Sequence, residues 1–390
     1  MPKISYYQYY QIKRLEYNPS TVSPRRFFSR QKKHPISICE TLKPLQQLQR
    51  KKIFNRLHEH RLRRPKTLGF SYTSTLHTAL VLYRTTMANV ASNPSGRLQL
   101  SGAGTALITP FTSDGEEVDY EAFGKLIDGQ IAGGIDFLVP LGTTGECPTV
   151  TSEEFAKILE FTVKRVNGRV PVVAGTGSNC TKKAIAATKL AKKIGCDACL
   201  QVNPYYNKPS QEGMFLHFQK ICSEAGLPVV LYNIPGRTGI TMQPETVARL
   251  YAECPEVIAI KEATGSLDIA TKIAELCDIP ILSGDDSLTI PLMSIGGKGV
   301  ISVLSNVFPE IVVGNVRAAQ KGDFATASKR HVKYHKLMRT MFCETNPVPV
   351  KKTASLLGMC TDVARLPISP MLAKNEAILT ACLKEYGLIE

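Results

Sequence analysis

A single lysine ends an apolar run, and its position points to amine chemistry. Lys261 ends the segment Val257–Lys261 and is followed by Glu262. Burial at the end of a strand removes the hydration of a charged amine, so its pKa is expected to fall and its neutral form to become populated. A neutral amine can attack a carbonyl carbon and form a Schiff base. From the pattern alone, Lys261 could also extend to solvent or pair with Glu262.

Other chemically useful side chains follow other apolar runs. Thr143 and Thr144 lie in a Gly-Thr-Thr-Gly turn whose hydroxyl and backbone N–H groups suit a small carboxylate. Tyr232 could transfer protons or could pack in the core. Arg237 follows a Pro-Gly pair and is shaped to bind a carboxylate with two parallel hydrogen bonds, although a plain surface arginine remains an alternative. Tyr206, in a Tyr-Tyr pair, could equally be a packing residue.

Eight short apolar runs recur between residues 105 and 303, with longer amphipathic stretches between them. Short runs with β-branched residues predict strands, and the longer stretches predict helices. The predicted strands are Thr105–Pro110, Phe137–Leu141, Pro171–Gly175, Ala198–Asn203, Pro228–Asn233, Val257–Lys261, Ile279–Ser283 and Gly299–Val303. The predicted helices include Tyr120–Ala132, Ser152–Val166, Lys182–Lys193 and Gln211–Glu224.

Eight alternating units favour a closed (β/α)8 barrel (TIM barrel) of the α/β class over an open doubly wound sheet. Eight parallel strands close around an interior that side chains fill, and no glycine-rich dinucleotide fingerprint follows the first strand. The sequence from 309 to 390 is helix-like and longer than one closing helix requires. We therefore expect a barrel with the active site over residues 99–308 and an additional C-terminal helical bundle over 309–390. In such a barrel the active site lies at the carboxyl ends of the strands.

The positive charge of the chain is concentrated near its start. Residues 1–100 hold 19 Lys and Arg against three acids, and the other 290 residues hold 29 against 30. We expect residues 1–98 to be a basic extension of low order, either an organellar transit peptide or an over-extended gene model. A real transit peptide over residues 1–86 would imply a plastid or other organelle, and translation from near Met87 would imply the cytoplasm.

The alternative from a different functional class is a nucleic-acid- or membrane-surface-binding protein with an inactive barrel. Such a protein should have lost the lysine, the tyrosine or the threonine pair, and all of them are present. No apolar stretch approaches the roughly 18 residues of a membrane span. We therefore expect neither a nucleic-acid nor a membrane partner.

The motifs together resemble the dihydrodipicolinate synthase family of pyruvate-dependent class I aldolases. The resemblance runs from about Gly104 to the C-terminus and keeps the order and spacing of the family's motifs. The motifs that carry it are Gly142–Glu146, Pro204–Gly213, Tyr232–Gly239, Gly284–Asp286, Gly299–Ser302 and Asn346–Lys351. Related neuraminate lyases usually have Ser-Thr in the first motif and lack the arginine of the third.

The resemblance implies a lyase that condenses pyruvate with L-aspartate 4-semialdehyde to 4-hydroxy-tetrahydrodipicolinate through a lysine Schiff base. This reaction is the first committed step of the diaminopimelate route to lysine. The implied catalytic residues are Lys261, Tyr232, Thr143 and Tyr206, and the implied substrate-binding residues are Thr144, Ile301, Arg237 and Gly284. An alternative is an N-acetylneuraminate or 2-keto-3-deoxy-sugar-acid lyase of the same superfamily, against which Arg237 argues.

The resemblance also implies an assembly and the absence of a cofactor. Tyr232 would pass protons through Thr143 to Tyr206 of a neighbouring subunit, which requires at least a dimer, and the family's usual homotetramer is two such dimers. The imine on Lys261 serves as the electron sink, so no metal or organic cofactor is expected.

One group of residues departs from the lysine-inhibited bacterial members of the family. Asn179 and Tyr205 persist at the dimer-interface site of those enzymes. The family's usual Ser, Ala, His, His and Glu at that site are replaced here by Cys147, Pro148, Ser152, Phe155 and Lys183. A cation at position 183 would repel the ammonium group of lysine, so feedback inhibition by lysine is expected to be weak or absent.

Overall fold

The computed structural model describes residues 98–390, and the prediction of a basic extension lies almost wholly outside the described residues. Eight strands, all parallel to their neighbours, form one sheet. They are β1 Gly102–Ala106, β2 Phe137–Val139, β3 Val173–Gly175, β4 Ala198–Val202, β5 Val229–Asn233, β6 Val257–Glu262, β7 Ile281–Ser283 and β8 Gly299–Ser302.

The sheet closes on itself. Its strands are hydrogen-bonded in the order β2-β1-β8-β7-β6-β5-β4-β3. The two ends meet through a parallel bridge between Leu138 and Val172 and through a hydrogen bond of 2.9 Å from the Leu138 backbone N–H to the Pro171 carbonyl. Closure leaves no long unpaired strand edge, and the predicted (β/α)8 barrel is confirmed.

Helices alternate with the strands along the chain. They are α1 Tyr120–Ala132, α2 Ser152–Val166, α3 Thr181–Ile194, α4 Gln211–Ala225, α5 Pro235–Thr238, α6 Pro244–Glu253, α7 Leu267–Leu276, α8 Thr289–Ser294, α9 Pro309–Gln320, α10 Phe324–Thr340, α11 Val348–Leu356 and α12 Ala373–Glu385. Helix α9 completes the eighth β/α unit, and α10–α12 are the additional C-terminal helices. The division of the chain at residue 308 stays a prediction.

Local sequence explains why these segments begin where they do. Thr151 caps α2, since its hydroxyl accepts the Glu154 backbone N–H at 3.2 Å and the Glu154 carboxylate accepts the Thr151 N–H at 2.9 Å. This reciprocal capping satisfies backbone donors that a helix start leaves without partners. The helix therefore begins at Ser152, as the sequence predicts.

Two apolar cores lie on the two sides of the barrel wall. The interior core includes Phe137, Val139, Leu200, Leu282 and Ile301, all buried. A larger core fills the layer between the strands and the surrounding helices and continues into the C-terminal helices. Alternate residues of a strand point to opposite faces, so each strand contributes to both cores. Within residues 98–390, no helix combines the length and the apolar character needed to cross a bilayer.

Candidate active site

Lys261 lies on β6 with its side chain in the barrel interior, beside Tyr232 of β5. The two residues are paired across the β5–β6 ladder, and the Lys261 Nζ atom lies 4.4 Å from the centre of the Tyr232 ring. Only 5% of Lys261 is exposed. Glu262 is not its partner: the Glu262 carboxylate accepts the Thr264 backbone N–H at 2.7 Å and the Asn233 side-chain amide at 3.2 Å. Neither alternative for Lys261, extension to solvent or pairing with Glu262, is therefore observed.

Burial sets the protonation of the Lys261 amine. Loss of hydration lowers the pKa of Lys261 to about 8, Asp286 opposes this shift, and Arg237 adds to it. Asp286 is itself buried and accepts hydrogen bonds from the Ser302 hydroxyl at 2.5 Å and the Val303 N–H at 3.0 Å. A lysine with a pKa near 8 is partly neutral at neutral pH, as a nucleophilic amine requires.

Tyr232 supplies a phenol next to this amine. Burial raises the pKa of Tyr232 to about 12, while nearby Arg237 and a hydrogen bond with the Thr143 side chain act in the opposite direction. The phenol is therefore protonated at neutral pH and hydrogen-bonded to a hydroxyl. A phenol held in this way can donate a proton and take another from its partner.

The loop after β2 brings the two threonines to this end of the barrel. A short turn of 3-10 helix covers Thr143–Gly145 and lies between Leu141 (φ 58°) and Glu146 (φ 54°). Two non-glycine residues in the left-handed region mark a backbone that surrounding contacts hold in place. One such contact is the buried ion pair between Glu146 and Lys351 of α11, with 2.5 Å between Lys351 Nζ and Glu146 Oε1.

A second link from the C-terminal region reaches the same turn. The Asn346 side-chain amide donates to the Thr144 hydroxyl at 2.9 Å, and the Asn346 carbonyl accepts a hydrogen bond of 3.1 Å from Arg237 Nη2. Arg237 belongs to the short helix α5 after β5. The loop before α11 thus joins the threonine turn to the arginine. The sequence alone does not reveal this role of Asn346, because the contacts join residues 109 and 202 positions apart.

Gly284 lies beside the lysine, and Ile301 belongs to the interior core of the barrel. A Cβ atom on Gly284 would lie 3.1 Å from Cε of Lys261 and 2.5 Å from Cβ of Ala263, so a larger residue would crowd the amine. Ile301, on β8, is fully buried in the same interior core as Tyr232. Gly284 therefore lies against the Lys261 side chain, and Ile301 lies in the core that fills the barrel interior.

Tyr206 is the predicted site residue that this chain does not bring to Lys261. It is 90% exposed and has φ of 71°. The backbone beside it is held from another loop, since the Asn179 side-chain amide donates to the Tyr205 carbonyl at 3.2 Å. Within this chain, the Tyr206 side chain therefore lies outside the group of residues around Lys261.

The arrangement fits carbonyl chemistry on an amine. It combines a partly neutral nucleophile, a protonated phenol, a hydroxyl-bearing turn and a guanidinium group at one end of a barrel. Across residues 98–390, no group of three or more His, Cys, Asp or Glu side chains is arranged to hold a metal ion.

Comparison with known proteins agrees with this geometry. The model of the dihydrodipicolinate synthetase family matches residues 99–386. The 4-hydroxy-tetrahydrodipicolinate synthase of Endomicrobium trichonymphae is 50% identical over 291 residues, covering 74% of this chain and 99% of that protein. The enzyme of that name from Geobacter sulfurreducens is 48% identical over 290 residues, again 74% of this chain and 99% of the relative.

Solved structures show the same relationship. The dihydrodipicolinate synthase of Aquifex aeolicus superposes with a TM-score of 0.72 at 46% identity and covers 74% of this chain and 99% of its own. A structure from Cyanidioschyzon merolae with lysine bound gives a TM-score of 0.72 at 40% identity, with the same coverage of both chains. The chain therefore belongs to the dihydrodipicolinate synthetase family.

Proposed function

We propose that this chain is a class I aldolase-type lyase that condenses pyruvate with L-aspartate 4-semialdehyde to give 4-hydroxy-tetrahydrodipicolinate, a step of diaminopimelate and lysine biosynthesis. The observation that carries the proposal is the buried amine of Lys261, with a pKa lowered to about 8, facing the ring of Tyr232 at 4.4 Å. Relatives covered almost end to end carry the name of this activity.

The first step is formation of an imine. The neutral amine of Lys261 attacks C2 of pyruvate, and the C2 oxygen leaves as water with one proton that the amine gives up and one from the Tyr232 phenol. The pyruvate carboxylate accepts hydrogen bonds from Thr144 and the neighbouring backbone, with Ile301 alongside it. The protonated imine then withdraws electrons from C3, and the Tyr232 phenolate takes a C3 proton to give an enamine.

The second step forms the carbon–carbon bond. The enamine C3 attacks the aldehyde carbon of the semialdehyde, and the aldehyde oxygen takes a proton from Tyr232, which is replenished through Thr143. Arg237 binds the carboxylate of the semialdehyde, and Gly284 leaves room for the new bond beside Lys261. The substrate's ammonium group then loses a proton to the Tyr232–Thr143 pair. Its neutral nitrogen attacks C2, the bond from C2 to the Lys261 nitrogen breaks, and the ring closes with release of the Lys261 amine.

Tyr206 would act on the neighbouring subunit in a homotetramer built from two dimers. Its 90% exposure within the chain supports this placement. Mixed oligomers test it. Tyr206→Phe and Lys261→Ala should each have little activity alone, and co-refolded subunits should regain activity, because one mixed site then holds both native residues. No regain in demonstrated mixed oligomers would contradict a shared site.

A direct assay separates this function from the other lyases of the superfamily. Purified protein should consume pyruvate only when L-aspartate 4-semialdehyde is supplied, and it should not cleave N-acetylneuraminate or 2-keto-3-deoxy-sugar acids. Cleavage of either sugar acid at a comparable rate would contradict the assignment. The compartment, cytoplasm or organelle, is to be decided by N-terminal sequencing of the protein from its natural source.

A further inference from the structure

Asn346 contacts both groups that the proposed function assigns to substrate carboxylates. Its side-chain amide donates to Thr144 at 2.9 Å, and its backbone carbonyl accepts from Arg237 at 3.1 Å. The residue is 6% exposed. One buried residue therefore lies between the place expected for pyruvate and the place expected for the semialdehyde.

One polar atom of Asn346 has no partner. Within the described part of the chain, Asn346 Oδ1 is buried and accepts no hydrogen bond. Most buried polar atoms in proteins are paired, and an unpaired acceptor costs about 1–3 kcal/mol. An unpaired acceptor between two substrate-binding groups indicates a donor that the substrates bring.

The chemistry of Thr144 fixes which end of the amide is unpaired. A threonine hydroxyl has a single proton to donate. If Thr144 donates that proton to the pyruvate carboxylate, its oxygen must accept from Asn346, so the NH2 group faces Thr144. The Oδ1 atom is then the acceptor left for a second ligand.

Only one of the two substrates carries a suitable donor. Pyruvate has no N–H or O–H group at neutral pH, whereas L-aspartate 4-semialdehyde carries an α-ammonium group. Its α-carboxylate and α-ammonium are bonded to the same carbon. A carboxylate held by Arg237, which is itself anchored to the Asn346 carbonyl, therefore places the ammonium close to the Asn346 side chain.

We propose that Asn346 binds the α-ammonium group of the second substrate through Oδ1 and thereby selects the aminated semialdehyde. This inference rests on the proposed function and names the specificity determinant of that same site. A hydrogen bond from a charged donor to a buried acceptor contributes about 10- to 100-fold in affinity.

Succinate semialdehyde is the probe, because it matches the substrate except for the missing amino group. At saturating pyruvate, the measured quantity is the inhibition constant of succinate semialdehyde divided by the KM of L-aspartate 4-semialdehyde. We expect this ratio to be well above one in the native protein and to fall about 10- to 100-fold in Asn346→Ala and in the similarly sized Asn346→Leu.

Asn346→Asp tests the acceptor role of the Asn346 side chain separately from its donor role. It keeps acceptors for the ammonium but loses the donor to Thr144, so the ratio should stay at or above the native value while the KM of pyruvate rises. An unchanged ratio in both Asn346→Ala and Asn346→Leu would overturn the inference. If those variants do not fold, the native protein alone decides: an inhibition constant of succinate semialdehyde close to the KM of L-aspartate 4-semialdehyde overturns the inference.

Borohydride reduction in the presence of pyruvate distinguishes two outcomes: that Asn346 does not bind the ammonium group, and that the proposed function itself is wrong. Native protein that forms no pyruvate adduct would contradict the proposed function. Native protein that forms the adduct and condenses the semialdehyde, with an unchanged ratio in the variants, would contradict only the role of Asn346.

Discussion

The Nζ atom of Lys351 lies 2.5 Å from Oε1 of Glu146, and both side chains are fully buried. The lysine also donates to the Val363 carbonyl at 2.7 Å, and Glu146 accepts the Arg365 backbone N–H at 3.0 Å. Glu146 immediately follows the Thr143–Gly145 turn, and Lys351 lies in α11. The ion pair thus connects helix α11 of the C-terminal region to the turn that is expected to bind pyruvate.

Removing one member of this pair should destabilise the fold strongly. Lys351→Met leaves the Glu146 carboxylate buried without its cation, so we expect a loss of about 3–5 kcal/mol in the free energy of unfolding. The double variant Glu146→Gln/Lys351→Met should lose less than the sum of the two single variants. Urea denaturation measures the free energies of unfolding of the single variants and of the double variant.

The exposed pair Lys336–Glu385 provides a matched control. Lys336→Met should leave the unfolding midpoint unchanged within error, because an ion pair in water contributes little. Strictly additive losses in Glu146→Gln, Lys351→Met and their double variant would show that the buried pair is not energetically coupled.

Replacing the buried amine of Lys261 should raise the free energy of unfolding by an amount that depends on pH. The folded-state pKa of Lys261 is about 8, below its ordinary value of 10.5. Between these values the unfolded chain binds a proton that the folded chain does not, so the lysine's contribution to stability rises with pH. Lys261→Met should therefore be more stable than the native protein by about 1–3 kcal/mol below pH 8.

The advantage of Lys261→Met should shrink as the pH rises from about 8 to 10.5 and should come with complete loss of activity. Unfolding midpoints of both proteins measured across this pH range test whether the stability difference decreases as predicted. A difference that stays constant with pH would mean that the folded protein does not depress the pKa of Lys261.

Loss of the Tyr232 phenol should slow turnover without unfolding the protein. Tyr232→Phe removes a proton-transfer group but keeps the ring that fills the barrel interior, so kcat should fall about 100- to 1,000-fold. Circular dichroism and the thermal midpoint should remain near their native values. An undiminished kcat would show that Tyr232 serves only as packing.

Inhibition by lysine should be weak or absent. Lys183 is exposed near the start of α3, four residues after Asn179, whose side chain holds the loop of Tyr205. The positive charge of Lys183 repels the ammonium group of an L-lysine ligand and so weakens its binding. Initial rates with 1 mM L-lysine should therefore match those without it, and Lys183→Glu should increase the response. Half-inhibition of the native protein below about 1 mM would contradict this expectation.

Sequence patterns predict most of the barrel, and the first strand shows why they do not predict all of it. We expected a strand at Thr105–Pro110, but β1 spans Gly102–Ala106. The sequence GAGTA contains a single β-branched residue, Thr105, and two glycines, which are depleted in strands. Its glycines meet a packing need that depends on distant residues: a Cβ atom on Gly104 would lie 2.1 Å from the Phe137 ring.

In the candidate site, too, the sequence predicts some features, and others depend on contacts between distant residues. Lys261, Tyr232 and the threonines lie at strand ends, where chain order and barrel geometry place them together, so the sequence predicts them. The Glu146–Lys351 pair and the Asn346–Thr144 contact join segments about 200 residues apart, and the Asn346–Arg237 contact joins residues 109 positions apart. No local pattern encodes such contacts, and only the folded chain reveals them.

Borohydride trapping tests the central claim, the covalent bond between Lys261 and pyruvate, most directly. Protein incubated with pyruvate and reduced with sodium borohydride should gain one reduced pyruvate per chain, and peptide mass mapping should place it on Lys261. The yield should increase as the pH is raised towards 8, and Lys261→Ala should show no adduct. An adduct on another lysine, or none at all in folded native protein, would contradict the mechanism.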